Sequence, residues 1–302
     1  MKKTLILFLA AVACAITVPA VAARHKTVKG SGKIVTETRS VGAFHAVEAG
    51  SVARVFVGDY PADRVTVKVD DNLLAYVKVD VDKGELRIGF TDISVQDADL
   101  TVYVPASGVT QFRATGLASL SLETPLEGIT LVKTGGASNF TAMNSLKTHD
   151  ATLESSGTAR ITIESLAGTV SRIVATGASA IDLKGQLTGR DVAIQTSGTS
   201  RIAAESTLDC GNAAVESSGS SRIAIGIKCT DCRIKTSGTA NTTATLDVTT
   251  LDVESSGNTG MTLSGTASSC RINAGGTSRI DTTRLKSDLW NTSVGKYAIF
   301  RQ

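Results

Sequence analysis

A glycine between small residues recurs through the second part of the chain at nearly constant spacing, and this repeat strongly constrains the fold. Successive marking glycines are separated by 20, 21, 20, 21, 21, 19, 19 and 19 residues. The nine positions are Gly116, Gly136, Gly157, Gly177, Gly198, Gly219, Gly238, Gly257 and Gly276. Self-similarity at a fixed period indicates a solenoid, whose units bury their apolar faces only by stacking on their neighbours.

The residues around each glycine alternate between apolar and polar. Four positions before it, all nine residues are apolar, and four positions after it only Thr242 is not. Two positions before it stand only Ala, Thr or Ser. A further apolar column lies eleven positions before the glycine, from Leu146 to Leu246. Alternation with period two is the pattern of β-strands.

The sequence therefore predicts an all-β fold, a parallel β-helix of about nine or more turns with about 20 residues in each. Glycine at the bend permits a positive φ, which other residues resist. Neighbouring turns should lie about 4.8 Å apart. A leucine-rich repeat has a similar period, but its L-x-x-L-x-L pattern is absent. A mean hydropathy of +0.11 argues against a disordered chain.

We expect one solenoid domain over residues 23–302. Residues 24–110 are predicted to form an N-terminal strand cap, 111–284 the glycine-punctuated repeats and 285–302 a C-terminal cap, because open sheet edges invite pairing with other chains. Asp82-Lys83-Gly84 is typical of a hairpin turn. The strands predicted in the N-terminal part are Ala53–Val57, Arg64–Val69, Tyr76–Val81, Glu85–Phe90 and Leu100–Val104.

The first 22 residues have the pattern of a secretory signal peptide, with two lysines, a short apolar run and an Ala-Val-Ala cleavage signal. A lipoprotein signal ending at Cys14 is the alternative. Removal of Lys2 and Lys3 lowers the formal net charge from +3 to +1, which argues against nucleic acid as a partner. We expect an exported protein of the periplasm or cell surface, without a transmembrane helix after cleavage.

Three ordered segments resemble the head GIN domain family of bacterial envelope proteins. They are GSGKIVTETRSVGAFHAVEAGSVARVFVG (Gly30–Gly58), VDDNLLAYVKVDVDKGELRIGF (Val69–Phe90) and LTVYVPASGVTQFRATG (Leu100–Gly116). With the repeat, the resemblance covers about Gly30 to Arg284. It implies a right-handed β-helix, a location in the cell envelope and an adhesin-like role, and it implies no catalytic residues.

The cysteines suggest a disulfide. Cys210 and Cys229 each stand nine positions before a glycine, so they should stack about 5 Å apart on adjacent turns, within disulfide reach. Two stacked free thiols are the alternative. Cys232 and Cys270 share an inward column but lie two turns apart, too far to bond. Cys229-Thr-Asp-Cys232 is a CxxC motif, but the pattern predicts no helix whose N-terminus would activate a thiol.

Two further columns contain side chains that could bind ions. Asp191, Asn212 and Asp231 fall on three consecutive turns and form a weak calcium candidate, although an Asn/Asp ladder bonded to turn backbone explains them as well. Three positions after the glycine, the column contains Arg160, Arg201, Arg222 and Arg279. These arginines suggest either an anion-binding stripe or solvated ion pairs, with Glu154 facing Arg160 and Glu216 facing Arg222.

No catalytic or cofactor-binding residues stand out. No Phe, Tyr or Trp occurs between Phe140 and Trp290, so the repeats lack the aromatic platforms of common sugar sites. We expect a non-enzymatic binding, adhesin-like or structural surface whose partner is an envelope polymer, another protein or a host surface, and the oligomeric state stays open. The alternative is a polysaccharide lyase or hydrolase, by analogy with other β-helices.

Overall fold

The structure, a computed structural model, describes residues 26–302, of which 71% lie in strands. The predicted leader at residues 1–22, with Cys14, lies outside the described residues. Stacked parallel coils form a β-solenoid of about ten turns, which confirms the predicted fold.

The N-terminal part of the described chain contains eleven strands and one 3-10 helix, Asp71–Tyr76. The strands are β1 (Lys26–Lys29), β2 (Ile34–Ser40), β3 (Ala46–Ala49), β4 (Arg54–Gly58), β5 (Arg64–Asp70), β6 (Val77–Asp82), β7 (Glu85–Phe90), β8 (Ile93–Gln96), β9 (Leu100–Pro105), β10 (Gln111–Ala114) and β11 (Ser119–Leu122).

The strands of the following turns are longer, because most of them bend without a break in the hydrogen-bond ladder. They are β12 (Leu126–Thr134), β13 (Asn139–Ser155), β14 (Arg160–Ala175), β15 (Ala180–Gly185), β16 (Leu187–Thr196), β17 (Arg201–Ser217), β18 (Arg222–Thr236), β19 (Asn241–Ser255), β20 (Gly260–Ala274), β21 (Arg279–Val294) and β22 (Ile299–Arg301).

The apolar columns of the sequence become continuous ladders inside the solenoid. In the column before the glycine, Ile194 pairs in parallel register with Val215, and Val215 pairs with Ile234. In the column after it, Ile202 pairs with Ile223. All of these side chains are buried. Because like residues stack on like, each turn supplies a cover for the apolar face of the next.

The nine marking glycines form the sharp corner of the coil. Each has a positive φ, between +64° and +84°. From Gly136 onward, the glycine of the preceding turn lies directly below, so a side chain would also meet its carbonyl oxygen. Both the backbone conformation and the stacking distance therefore select glycine.

A second ladder, of buried hydroxyls, runs just inside this corner. Thr134 donates to Ser155 (2.9 Å), Thr196 to Ser217 (3.0 Å), and Thr236 to Ser255 (3.0 Å). Small hydroxylated side chains fit the narrow bend, and their hydrogen bonds offset the cost of burying the oxygen atoms.

One turn precedes the glycine-punctuated repeats. Strands β3 and β4 pair in parallel with β10 and β11, and Ser51 stands at their corner with a φ of 56°. Strands β7 and β9 pair with the opposite edges of β3 and β4, and antiparallel strands β5, β6 and β2 extend this cover. The antiparallel strands close the N-terminal end of the stack.

The hairpin predicted at Asp82-Lys83-Gly84 joins β6 to β7. Lys83 and Gly84 have φ values of 51° and 78°, as expected for a two-residue hairpin turn with two left-handed residues.

At the C-terminal end, residues 285–302, predicted to form a cap, continue the parallel stack. Trp290 pairs with Cys270 and Phe300 with Ile280, in the inward columns. The two rings meet edge to face, 6.2 Å apart. Trp290 and Phe300 therefore cover the last apolar layer at the C-terminal end of the core.

Candidate functional site

One face of the solenoid presents a continuous row of charged and amide side chains, here called the polar ladder. Lys133 binds Glu154 at 2.9 Å, and Arg172 lies 3.8 Å from the same carboxylate. Arg172 also donates to Gln195, which donates to Glu216. The ladder consists of Lys133, Glu154, Arg172, Gln195, Glu216, Lys235 and Glu254.

The ladder forms one wall of a groove beside the glycine corner, here called the corner groove. The groove holds about 720 Å³ and extends from Arg172 to Gly275. Half-buried hydroxyls lie beside the ladder, one from each turn: Thr176, Ser197, Ser218 and Ser237, with the more exposed Ser256 following. The groove thus presents the same types of polar group from turn to turn, together with the side chain of Val174.

The charges of the polar ladder neutralise each other. Lys235 binds Glu254 at 3.0 Å, and Arg233 binds it from the other side at 2.7 Å. Hydrogen bonds from these two cations lower the pKa of the Glu254 carboxyl below its usual range. Three cations and three carboxylates stand in the ladder, so the groove carries local dipoles without a net charge.

The carboxyl groups whose pKa the structure displaces all move downward. They are Asp63, Asp71, Glu254 and Asp281, each because a neighbouring side chain donates a hydrogen bond to the charged form. A general acid for glycoside cleavage needs a carboxyl group with a raised pKa. Burial or a neighbouring like charge raises the pKa of a carboxyl group.

Asp191, Asn212 and Asp231 do stack in register on consecutive turns. The Asn212 amide donates to the Asp191 carboxylate at 2.6 Å, so this pair is bonded within the ladder. Within residues 26–302 no group of three or more His, Cys, Asp or Glu side chains is placed to hold a metal ion. The calcium candidate remains a prediction from the sequence alone.

The arginine column lies on the other side of the glycine corner. Arg201 contacts Asp182, and Arg160, Arg222 and Arg279 are exposed. The expected ion pairs of Glu154 with Arg160 and Glu216 with Arg222 are wrong. The glutamates lie before the corner and the arginines after it, so Glu154 binds Lys133 and Arg172 instead.

All four described cysteines are free thiols in this structure. Cys210 and Cys229 stand on adjacent strands and both line a groove of about 660 Å³. Cys232 pairs with Leu251, and Leu251 pairs with Cys270, so Cys232 and Cys270 share a column two turns apart. The Cys210–Cys229 disulfide remains a prediction from the sequence.

No single column of the sequence predicts the corner groove. The groove lies between the column one position before the glycine and the polar ladder, which takes all of its residues except Arg172 from the column three positions before the glycine. The signal in the sequence is the Ser or Thr that stands directly before seven of the nine marking glycines.

The rest of the described chain adds one observation on membranes. No helix in residues 26–302 is long and apolar enough to cross a bilayer.

Comparison with known proteins gives a family match over most of the chain. The model of the family described as "Putative auto-transporter adhesin, head GIN domain" matches residues 43–228 and 224–295. No curated protein matches the chain.

Two solved structures are similar to this chain at low sequence identity. A crystal structure described as "Putative lipid binding protein", from Parabacteroides distasonis, is 12% identical, with a TM-score of 0.55 over 92% of this chain and 100% of the other. A "putative adhesin" from Parabacteroides merdae is 14% identical, with a TM-score of 0.49 over 89% of this chain and 99% of its own. At such identity the first likeness shows the fold alone.

Proposed function

The chain belongs to the head GIN domain family, and we propose that it is an exported, non-enzymatic protein of the bacterial cell envelope that binds an extended polymer along the corner groove. The adhesin-like role is the expectation that the family carries. The signal pattern of residues 1–22 supports export to the periplasm or cell surface.

The repetition of the groove carries this proposal. Each turn offers a hydroxyl and a charged or amide side chain at a spacing of about 4.8 Å along the axis. A ligand that repeats along its own length can make the same contact at every turn. Individually weak hydrogen bonds then add up through multivalency, and flat aromatic platforms are not required.

The chemistry of the groove favours a neutral, hydroxyl-rich polysaccharide. The polar ladder has equal numbers of cations and carboxylates, so a polyanion gains no net attraction there. Hydroxyl groups of a sugar chain can both donate to Glu216 or Glu254 and accept from Ser197 or Ser237. A lipid tail would need an apolar channel, whereas the interior of the solenoid is filled by packed side chains.

The carboxyl groups argue for binding rather than cleavage. Glu254 is held in its charged form by two cations, which suits a hydrogen-bond acceptor and not a proton donor. A polysaccharide lyase or hydrolase stays the alternative that an activity assay must test.

Substitutions that fill the groove test the site. Ser197→Arg and Ser237→Arg each place a long side chain on the groove floor, two turns apart, whereas Thr243→Arg places the same side chain on the exposed face after the corner. Binding is measured by co-sedimentation with insoluble peptidoglycan and by surface plasmon resonance on immobilised neutral and acidic polysaccharides.

We expect the mature chain to bind at least one neutral polysaccharide, and each groove variant to weaken that binding tenfold or more. Thr243→Arg should bind as the native protein does. Equal binding by all three variants would exclude the groove, and release of reducing ends or unsaturated sugars by the native protein would instead support the enzyme.

A further inference from the structure

Three cysteines from two turns converge at one bend of the solenoid. Cys210 lies on β17, and Cys229 and Cys232 lie on β18. The pairs Asp209–Lys228 and Asn212–Asp231 bracket Cys210 and Cys229 and place them side by side. Thr230 and Asp231, which separate the two cysteines of β18, both face outward. Cys229 and Cys232 therefore both point into the protein.

Cys229 is the centre of this cluster. Around its sulfur lie the thiols of Cys210 and Cys232 and the backbone N–H of Ala213, each of which would donate a hydrogen bond to the thiolate form. In its neutral form Cys229 itself donates to the carbonyl oxygen of Asp231, at 3.3 Å. The carboxylate of Asp231 opposes a negative charge on the sulfur.

The balance of these contacts favours a thiolate at Cys229. Hydrogen bonds from these two thiols lower the pKa of Cys229, whereas donation of the same hydrogen bonds, together with burial, raises the pKa values of Cys210 and Cys232. Cys229 is therefore the thiol that ionises most readily among the three.

Solvent reaches the cluster from one side. Cys210 is half-buried, and Cys229 is 8% exposed at the edge of the 660 Å³ groove that both line. Lys228 and Asp209 flank this opening and bind each other at 3.1 Å. Cys232 is 2% exposed and lies behind Cys229.

We propose that Cys210, Cys229 and Cys232 form a thiol–disulfide exchange site, in which Cys229 attacks an external disulfide, Cys210 closes the bond across two turns, and Cys232 is the alternative partner within one turn. This proposal stands independently of the proposed polymer binding. A neighbouring-strand thiol here takes the place of the helix N-terminus that activates the thiol in other CxxC sites.

The exchange is balanced in atoms and electrons. The Cys229 thiolate attacks one sulfur of a glutathione-type disulfide, which forms a mixed disulfide and releases one thiolate. Cys210 then gives its proton to solvent and attacks the Cys229 sulfur, which releases the second thiolate. Two protein thiols are oxidised by two electrons, and one external disulfide is reduced to two thiols.

Tryptic peptides distinguish the two products. Cleavage places Cys210 in residues 202–222, Cys229 and Cys232 together in 229–233, and Cys270 in 236–271. A Cys210–Cys229 bond therefore links two peptides, whereas a Cys229–Cys232 bond lowers the mass of residues 229–233 by about two hydrogens. The mature chain is equilibrated in glutathione redox buffers, quenched in acid, denatured, alkylated and analysed by mass spectrometry.

We expect the linked peptide pair in oxidising buffer, with Cys270 fully alkylated. Cys210→Ser should divert the bond to Cys229–Cys232, and Cys232→Ser should leave the linked pair in place. Cys229→Ser should prevent both disulfides, and Cys270→Ser, the matched control, should change neither product.

Three results would overturn the proposal. The first is alkylation of all four cysteines after oxidation, and the second is an equally abundant Cys210–Cys232 bond in Cys229→Ser. The third is a bound soft metal ion that protects the three thiols from both oxidation and alkylation.

Discussion

The carbonyl oxygen of Gly198 lies 2.6 Å from the point that a Cβ on Gly219 would occupy. Gly219 also has a φ of +70°, so an added methyl group meets both backbone strain and a collision with the turn below. We predict that Gly219→Ala lowers the free energy of unfolding by about 2–4 kcal/mol, measured by urea denaturation.

Substitution of Gly128 measures the backbone strain without the collision with a neighbouring turn. Its φ is +74°, but nothing lies within 4 Å of its Cβ position. Gly128→Ala should therefore cost only the backbone strain, about 1 kcal/mol. Equal losses in Gly128→Ala and Gly219→Ala would mean that the stacking distance does not select glycine at the corner.

Thr242 breaks an otherwise apolar column, and its buried hydroxyl lowers the free energy of unfolding. Thr242 lies between Ile223 and Met261 in the ladder, is 1% exposed, and its hydroxyl finds no hydrogen-bond partner within the described residues. Replacement by the isosteric valine removes this unpaired group. We predict that Thr242→Val raises the free energy of unfolding by about 1 kcal/mol.

A second threonine supplies the control for this change. Thr236 is equally buried, but it donates to Ser255 at 3.0 Å. Thr236→Val should destabilise the protein by about 1–2 kcal/mol because it leaves the hydroxyl ladder incomplete. Gains in stability from both substitutions would show that hydroxyl pairing does not matter inside the corner.

Asp70 joins three segments of the N-terminal cover. It is 1% exposed, and it accepts from the N–H of Gly32 at 2.7 Å and the N–H of Asp99 at 2.8 Å. An asparagine can accept at only one of these positions. We predict that Asp70→Asn costs about 1–3 kcal/mol in thermal or urea unfolding.

The matched control for Asp70 is another aspartate of the same region. Asp63 is exposed, and its carboxylate binds Arg64 alone among the described side chains. Asp63→Asn should change stability by less than about 0.5 kcal/mol. A similarly small effect at Asp70 would show that the N-terminal cover does not depend on these two hydrogen bonds.

The inward columns could be predicted because they depend on period alone. Residues that recur every 19–21 positions stack directly, so the register of Val215 on Ile194 follows from the sequence. The turn at β3 and β4 was missed because Ser51 occupies the corner in place of glycine and an insertion separates it from Gly116.

Lateral contacts were harder to predict than stacked ones. Glu154 was expected to bind Arg160 across the corner, six residues away, but turns stack at about 4.8 Å and bring Lys133 closer. The cysteine cluster shows the same difficulty. The Cys210–Cys229 stack was visible in the period, whereas the approach of Cys232 depends on a bend inside β18.

The polar ladder makes a prediction about pH. Hydrogen bonds from Lys235 and Arg233 stabilise the charged form of Glu254 and lower its pKa below the ordinary value of 4.5. Its contribution to stability is therefore present above pH 4.5 and lost as the pH falls through the lower, folded pKa.

In a carboxyl-detected NMR titration, Glu254 should have a midpoint below 4.5, and Lys235→Met should raise it. Added salt should raise the native midpoint as well, because the groups are exposed and screened. A midpoint at or above 4.5 in the native protein would contradict the ion pairs of the ladder.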